Sequence, residues 1–188
     1  ARRGQHAEAR QWLDGLDERL QATTGPFAGL PAARRQILSV QADSARGTVA
    51  ASAGDTEAAL RAFERALQRA DVATGDPPDP ELDRSRLAAL ERLGLICYQR
   101  RQWERATPWL DRAIDEYELL LADDPEVVAW RTRLARVVST RATCRRMLGQ
   151  PTEALADHDR CIVLLTRAVQ LAPDDLEGVR TTLAELAG

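Results

Sequence analysis

Small and apolar residues recur along the chain at alternating steps of four and three. One series is Ala59, Phe63, Ala66, Ala70 and Ala73, a second is Ala106, Leu110, Ala113, Tyr117 and Leu120, and a third is Ala154, His158, Cys161, Leu165 and Ala168. That spacing lays one apolar stripe along a helix. Leu87, Leu90, Leu93, Gly94 and Cys97 form a comparable stripe ahead of the second series. Helix punctuation brackets these runs: "DPE" stands at 79–81 and 124–126, offering Asp as N-cap, Pro at the first helical position and Glu in the first turn. The pattern predicts helices near 5–23, 31–53, 55–74, 80–100, 102–122, 125–148, 151–172 and 175–187, with loops at 24–30 and 75–79. Pro108 fits badly, because inside a helix it removes a hydrogen bond and crowds the preceding turn. Either the helix continues with a kink, which the phase of Trp103 and Ala106 favours, or it starts late with Thr107 as cap.

The stripes hold one phase. A turn residue is followed five places later by a small one at Gly4/Ala9, Gly54/Ala59, Arg101/Ala106 and Gly149/Ala154, in steps of 50, 47 and 48 residues. Seven residues before the last three turns stand Gly47, Gly94 and Ala142, small enough for close helix approach, and nineteen after the last three alanines stand Pro78, Pro125 and Pro173. Such internal periodicity marks a repeat protein. Each unit is helix A, a short turn, helix B and a proline-marked corner. The expected fold is all-α: a right-handed superhelical solenoid of antiparallel helical hairpins with seven to eight helices. It forms a single array over 1–188, with a partial repeat at 1–30 (helix B only), full repeats at 31–78, 79–124 and 125–173, and a terminal partial A helix at 174–188. Starting in mid-motif, the chain is expected to be a piece of something longer.

"AALRAFERAL" (58–67) and "RLGLICYQRRQWERATPWLDRAI" (92–114) resemble the tetratricopeptide repeat, in which a small residue marks the A–B contact and helix B carries Ala, an apolar residue four on, and Ala three further. The usual unit is about 34 residues; the longer step is similar to long-helix variants found beside kinase, nucleotide-switch ATPase or caspase-like domains in large bacterial signalling proteins. The resemblance implies that A helices line a concave binding surface. Here that surface would comprise Gln41, Ser44 and Thr48, then Glu91, Leu95 and Gln99, then Arg136, Ser139, Thr143 and Arg146. The Lys and Asn residues of the family's peptide-carboxylate clamps are absent. Asp43, Arg46, Arg141 and Arg145 depart from the family pattern at A-helix positions normally apolar, so those helices are either rotated or set against polar neighbours.

Composition adds little drive toward nucleic acid. All 26 basic residues are Arg, yet the net charge is -3, so no global field draws the chain to polyanions or anionic membrane. Six arginines (131, 133, 136, 141, 145 and 146) crowd one helix, either as a phosphate- or carboxylate-binding set or as a solvated face sharing salt bridges with nearby acids. With 4% aromatics and abundant Ala and Leu, the chain favours helices over sheets. Three cysteines without metal-ligand spacing suit reduced, buried positions in a cytoplasmic protein. No run of about 18 apolar residues spans a membrane, and the opening segment lacks the apolar core of a signal peptide.

Candidate chemistry is sparse. His158 takes an apolar-stripe position and is expected buried or half-buried rather than acting as ligand or base; His6 is expected solvated by the first turn. Cys144 and Cys161 lie on consecutive helices, as packing residues or as a redox pair. Trp12 and Trp109 share a repeat position, and with Trp103 and Trp130 they serve either as inter-repeat packing or as exposed contact anchors. Phosphate-cradling loops and nucleophile elbows are missing. The reading is therefore a non-catalytic interaction module, without cofactor or metal, that binds a protein segment or a neighbouring domain of its own polypeptide along the concave face. Self-association through truncated repeat ends is a further expectation. The alternative is a helical-repeat nucleic-acid binder using the arginines of helix 125–148.

Overall fold

A computed structural model describes residues 8–9, 11–22, 24–72 and 79–172. The described residues are helical throughout, with no strand. The helices are α1 (Leu16–Gln21), α2 (Ala32–Ser52), α3 (Thr56–Val72), α4 (Pro80–Gln99), α5 (Trp103–Asp123), α6 (Val128–Met147) and α7 (Pro151–Leu171). This is the all-α repeat fold that the periodicity requires. The helix expected over 175–187 lies outside the described residues. The chain divides into two compact units, Ala1–Leu93 and Gly94–Gly188.

The three A-to-B turns answer why a glycine recurs. Gly54, Arg101 and Gly149 all adopt left-handed backbone, with φ of 81°, 58° and 75°. In each turn the next residue's N–H reaches back five positions: Asp55 to Ala50 O, Gln102 to Cys97 O and Gln150 to Arg145 O, all at 2.9 Å. The turn residue itself donates to the carbonyl three before it, in Ala51, Tyr98 and Arg146. Those two bonds make a Schellman cap, satisfying carbonyls that the helix end would otherwise orphan. Glycine enters the left-handed region without Cβ strain, and Arg101 is the repeat that does without it.

Close approach explains the other conserved-phase glycines. A Cβ on Gly47 would meet the Phe63 ring at 2.7 Å, and one on Gly94 would meet Leu110 Cδ2 at 2.7 Å. Phe63 and Leu110 are each 2% exposed. The third hairpin differs. Ala142 already carries a methyl group where the others have glycine, and His158, in the position of Phe63 and Leu110, is exposed. The expectation of a buried or half-buried histidine is overturned. The inward position passes to Asp157, which is 3% exposed and held by arginines of α6. On the outward side of α7, Leu155 and Ile162 are 62% and 63% exposed; at the equivalent points in the first hairpin, Leu60 and Leu67 are buried.

Two boundaries move. The helix expected at 5–23 is interrupted by a turn at Gly15. Helix α6 begins at Val128 rather than 125, and Asp124 caps a turn at Pro125–Glu126 instead. Asp79 does cap α4, its Oδ1 accepting from Glu81 N at 2.8 Å. Helix α5 runs unbroken through Pro108, which excludes a start at Thr107. Pro108 is exposed, so its unmade backbone bond lies where water reaches, and the Thr107 hydroxyl donates to Trp103 O at 3.0 Å.

Candidate functional site

In the first unit, α2 and the first turns of α4 stand side by side. Gln41 Nε2 donates to Glu81 Oε1 at 2.7 Å, and Arg34 pairs with the other Glu81 oxygen. The hydrogen bond from Gln41, then that from Arg34, lowers the Glu81 pKa below its ordinary value. Gln41 and Ser44 line a groove of about 480 Å3 with Glu81, Arg84, Ser85 and Ala88. The Ser44 hydroxyl is shielded from water and has no hydrogen-bond partner, an arrangement that costs on the order of 1–3 kcal/mol when left unsatisfied. Thr48, one turn on, donates to Ser44 O at 3.0 Å and faces solvent.

Sequence reasoning placed the α4 contribution at Glu91, Leu95 and Gln99, whereas Glu81, Arg84, Ser85 and Ala88 meet Gln41 and Ser44. Glu91 and Leu95 are half-buried and Gln99 is exposed. The signal that finds Ala88 is the repeat itself, since Gln41, Ala88 and Arg136 all stand thirteen residues before their turn. On α6, Arg136 and Arg146 are exposed, Thr143 is half-buried and donates to Ser139 O at 3.3 Å, and Ser139 is buried.

The arginines of α6 do not form one basic stripe. Arg141 is buried and grips Asp157 with two bonds, Nε to Oδ2 at 2.9 Å and Nη2 to Oδ1 at 2.6 Å, while Nη1 reaches Asp111 at 2.7 Å. Burial alone would lower the Arg141 pKa, but hydrogen bonds to Asp157 and Asp111 outweigh it and raise it. Arg145 adds a bond to Asp157 at 2.9 Å. Arg131 donates to Pro125 O at 3.0 Å. The alternative of polar neighbours, rather than rotated helices, accounts for all four departures in α2 and α6. Asp43 is fully buried among Arg46 at 2.8 Å, Arg65 at 3.4 Å and Arg69 at 3.0 Å. Arg46 also reaches Asp17 at 3.0 Å and Asp14 at 3.9 Å. Arg46 and Arg141 stand at one repeat position, and so do their partners Asp14 and Asp111 on the preceding B helix. Leu93 takes the arginine's place in the middle repeat and is fully buried.

The other candidates separate. All three cysteines are free and buried. Cys161 donates to Ala135 O at 3.5 Å, and the thiol whose charge bears on Cys144 is Cys97, not Cys161. Burial pushes the Cys144 thiol up to about 11, with Cys97 adding to the rise, the reverse of what a nucleophilic or redox-active thiol requires. Trp103 stacks edge-to-face on Tyr98 with ring centroids 5.6 Å apart. Trp109 and Trp130 are half-buried, while Trp12 is 56% exposed. Among the described residues, no three His, Cys, Asp or Glu side chains gather in a way that would hold a metal ion, and no helix is long and apolar enough to cross a membrane.

Neither the models of known protein families nor the curated proteins give a match to this sequence.

Proposed function

We propose that this chain is a non-catalytic, tetratricopeptide-like interaction module of a larger signalling or effector protein in the cytoplasm. Its A-helix face takes up a protein segment or a neighbouring domain of the same polypeptide. The observation that carries the reading is the groove of about 480 Å3 between α2 and α4, lined by Gln41, Ser44, Glu81, Arg84, Ser85 and Ala88. A ligand seated there gains a preformed, helix-borne surface with polar groups of Gln41, Glu81, Arg84 and Ser85 on its walls. The small Ala88 and Ser85 side chains leave room for a backbone to approach. Arg136 and Arg146 steer acidic elements in the second unit. Nucleic acid is disfavoured because Arg141 and Arg145 are consumed by Asp157 and the net charge is negative.

The test is affinity capture from the source cells with wild-type protein beside Ala88→Arg and Arg136→Glu/Arg146→Glu, at low and moderate salt. A single protein held by wild type and lost from Ala88→Arg supports the groove. Retention of that protein by both variants removes the A-helix face from consideration, and recovery of nucleic acid with steep salt dependence replaces the reading with its alternative.

A further inference from the structure

A second concavity lies in the first unit, among α1, α2 and α3. Its volume is about 450 Å3, and Arg35, Gln36 and Ser39 of α2 line it together with Asp17, Gln21 and Arg69. That is within the range of small-molecule sites, roughly 300–1,000 Å3. It shares no lining residue with the α2–α4 groove, and the inference drawn from it stands whether or not that groove binds a protein.

The repeat shows that this opening is a local departure. At the matching positions around α6, Ile114 replaces Asp17, Trp130 replaces Arg35, Leu134 replaces Ser39 and Leu164 replaces Arg69. Leu20, which also lines the cleft, corresponds to Tyr117. Ile114, Tyr117 and Leu134 are each exposed by 2% or less, and Trp130 and Leu164 are half-buried. Where one repeat packs large apolar side chains, the other keeps polar ones around open space. Shrinking Tyr to Leu and exchanging Trp and Leu for Arg and Ser forgoes packing that the same backbone can evidently accommodate.

The polar groups of the cleft fall into two sets. Asp17 is neutralised by Arg46 and Arg69, both at 3.0 Å, and Arg69 also reaches Asp43 at 3.0 Å. Arg35 is half-buried and, among the described residues, forms no ion pair or hydrogen bond through its guanidinium. The side-chain amides of Gln21 and Gln36 are likewise uncommitted. One guanidinium fork and two amides, none with a side-chain partner among the described residues, therefore line the same cleft.

We propose that this cleft binds a small polar monocarboxylate, with the Arg35 fork on the carboxylate and the Gln21 and Gln36 amides on its other polar groups. A planar carboxylate matches the two parallel N–H donors of a guanidinium. A phosphate dianion fits worse, because only one guanidinium is uncommitted and the Asp17 carboxylate lines the same space. Partial burial of Arg35 strengthens the pairing relative to a fully solvated site.

The test uses the full chain, isotopically labelled, titrated with sodium glycolate and, at matched ionic strength, with sodium chloride and sodium phosphate. The Arg35 Nε–Hε and the Gln21 and Gln36 side-chain amide resonances report. Glycolate is expected to shift all three saturably, chloride and phosphate not at all. Arg35→Ala weakens glycolate at least tenfold, and Arg35→Lys, which keeps the charge but loses the fork, weakens it less. Ser39→Leu installs the residue of the matching repeat; it is expected to keep the helical circular dichroism of wild type and lose saturable binding. Linear shifts equal to those from chloride, or saturation unchanged in Arg35→Ala, overturn the site. Phosphate binding as tight as glycolate overturns the monocarboxylate assignment.

Discussion

The ring of Phe63 lies where a side chain on Gly47 would have to begin, 2.7 Å from an ideal Cβ. Alanine there gains about 1 kcal/mol of helix propensity, but the Phe63 ring is 2% exposed and cannot swing clear. Overpacking of this kind costs about 1–3 kcal/mol, so Gly47→Ala is expected to lose net stability in urea unfolding. Gly94→Ala, against Leu110, behaves alike. Gly15→Ala is the opposite case: its Cβ would meet nothing nearer than 4.0 Å on helical backbone, and stability rises. Equal effects at Gly15 and Gly47 would refute the close-approach account.

Among the described residues, Arg101 is the one turn residue that takes left-handed backbone without being glycine. Its conformation costs about 1 kcal/mol relative to glycine, partly offset by glycine's greater unfolded-state entropy. Arg101→Gly is therefore expected to raise stability by about 0.5 kcal/mol, and Gly149→Ala to lower it by a comparable amount. No atom lies within 4 Å of a Cβ at Gly149, so that loss reports backbone strain alone. Thermal melts of the two single variants measure both signs.

The Arg141–Asp157 pair is buried at both ends. Removing the cation leaves Asp157 with only Arg145, and breaking a buried pair costs about 3–5 kcal/mol. Arg141→Leu alone should lose about 3 kcal/mol, toward the lower bound because Arg145 remains. Arg141→Leu/Asp157→Ala places at these two positions the residues Leu93 and Ala62 hold in other repeats, and most of the loss should return. A double variant no more stable than the single would show that the pair contributes through more than mutual neutralisation.

Cys144 gives a pH signature. Its folded-state value of about 11 exceeds the ordinary 9.0, so the folded state holds the proton more tightly than the unfolded chain. Stability is therefore unaffected below pH 9 and declines as pH rises from 9 toward 11. Cys144→Ala lowers the baseline but flattens that decline. At pH 8 the native thiol should also resist iodoacetamide until denaturant exposes it.

Much of this architecture was written in the periodicity. The turn at Gly54, the stripe through Ala59, Phe63 and Ala66, and the cap at Asp79 each follow from short-range rules that depend on few neighbours. His158 did not follow, because its orientation depends on Ala142 and on Arg141 drawing Asp157 inward, two conditions set by another helix. The same holds for the groove. Repeat arithmetic locates Ala88 opposite Gln41, but which turn of α4 meets α2 is a property of how the helices stack. Asp43 and Arg46 were visible as departures, while their partners Asp17, Arg65 and Arg69 lie on two other helices, α1 and α3, and leave no local trace.

The Schellman caps also bear on how the chain acquires its shape. Each reversal is closed by bonds spanning five residues or fewer, and the most extensively packed helix pairs, α2 with α3 and α6 with α7, are neighbours in the chain. Low contact order of this sort permits folding on microsecond to millisecond timescales, with hairpins forming as separate early events. The α4–α5 reversal must push Arg101 into the left-handed region before its helices can zip together. If that turn forms in the folding transition state, Arg101→Gly is expected to speed refolding; if it forms later, the same substitution mainly slows unfolding, and stopped-flow refolding and unfolding rates separate the two.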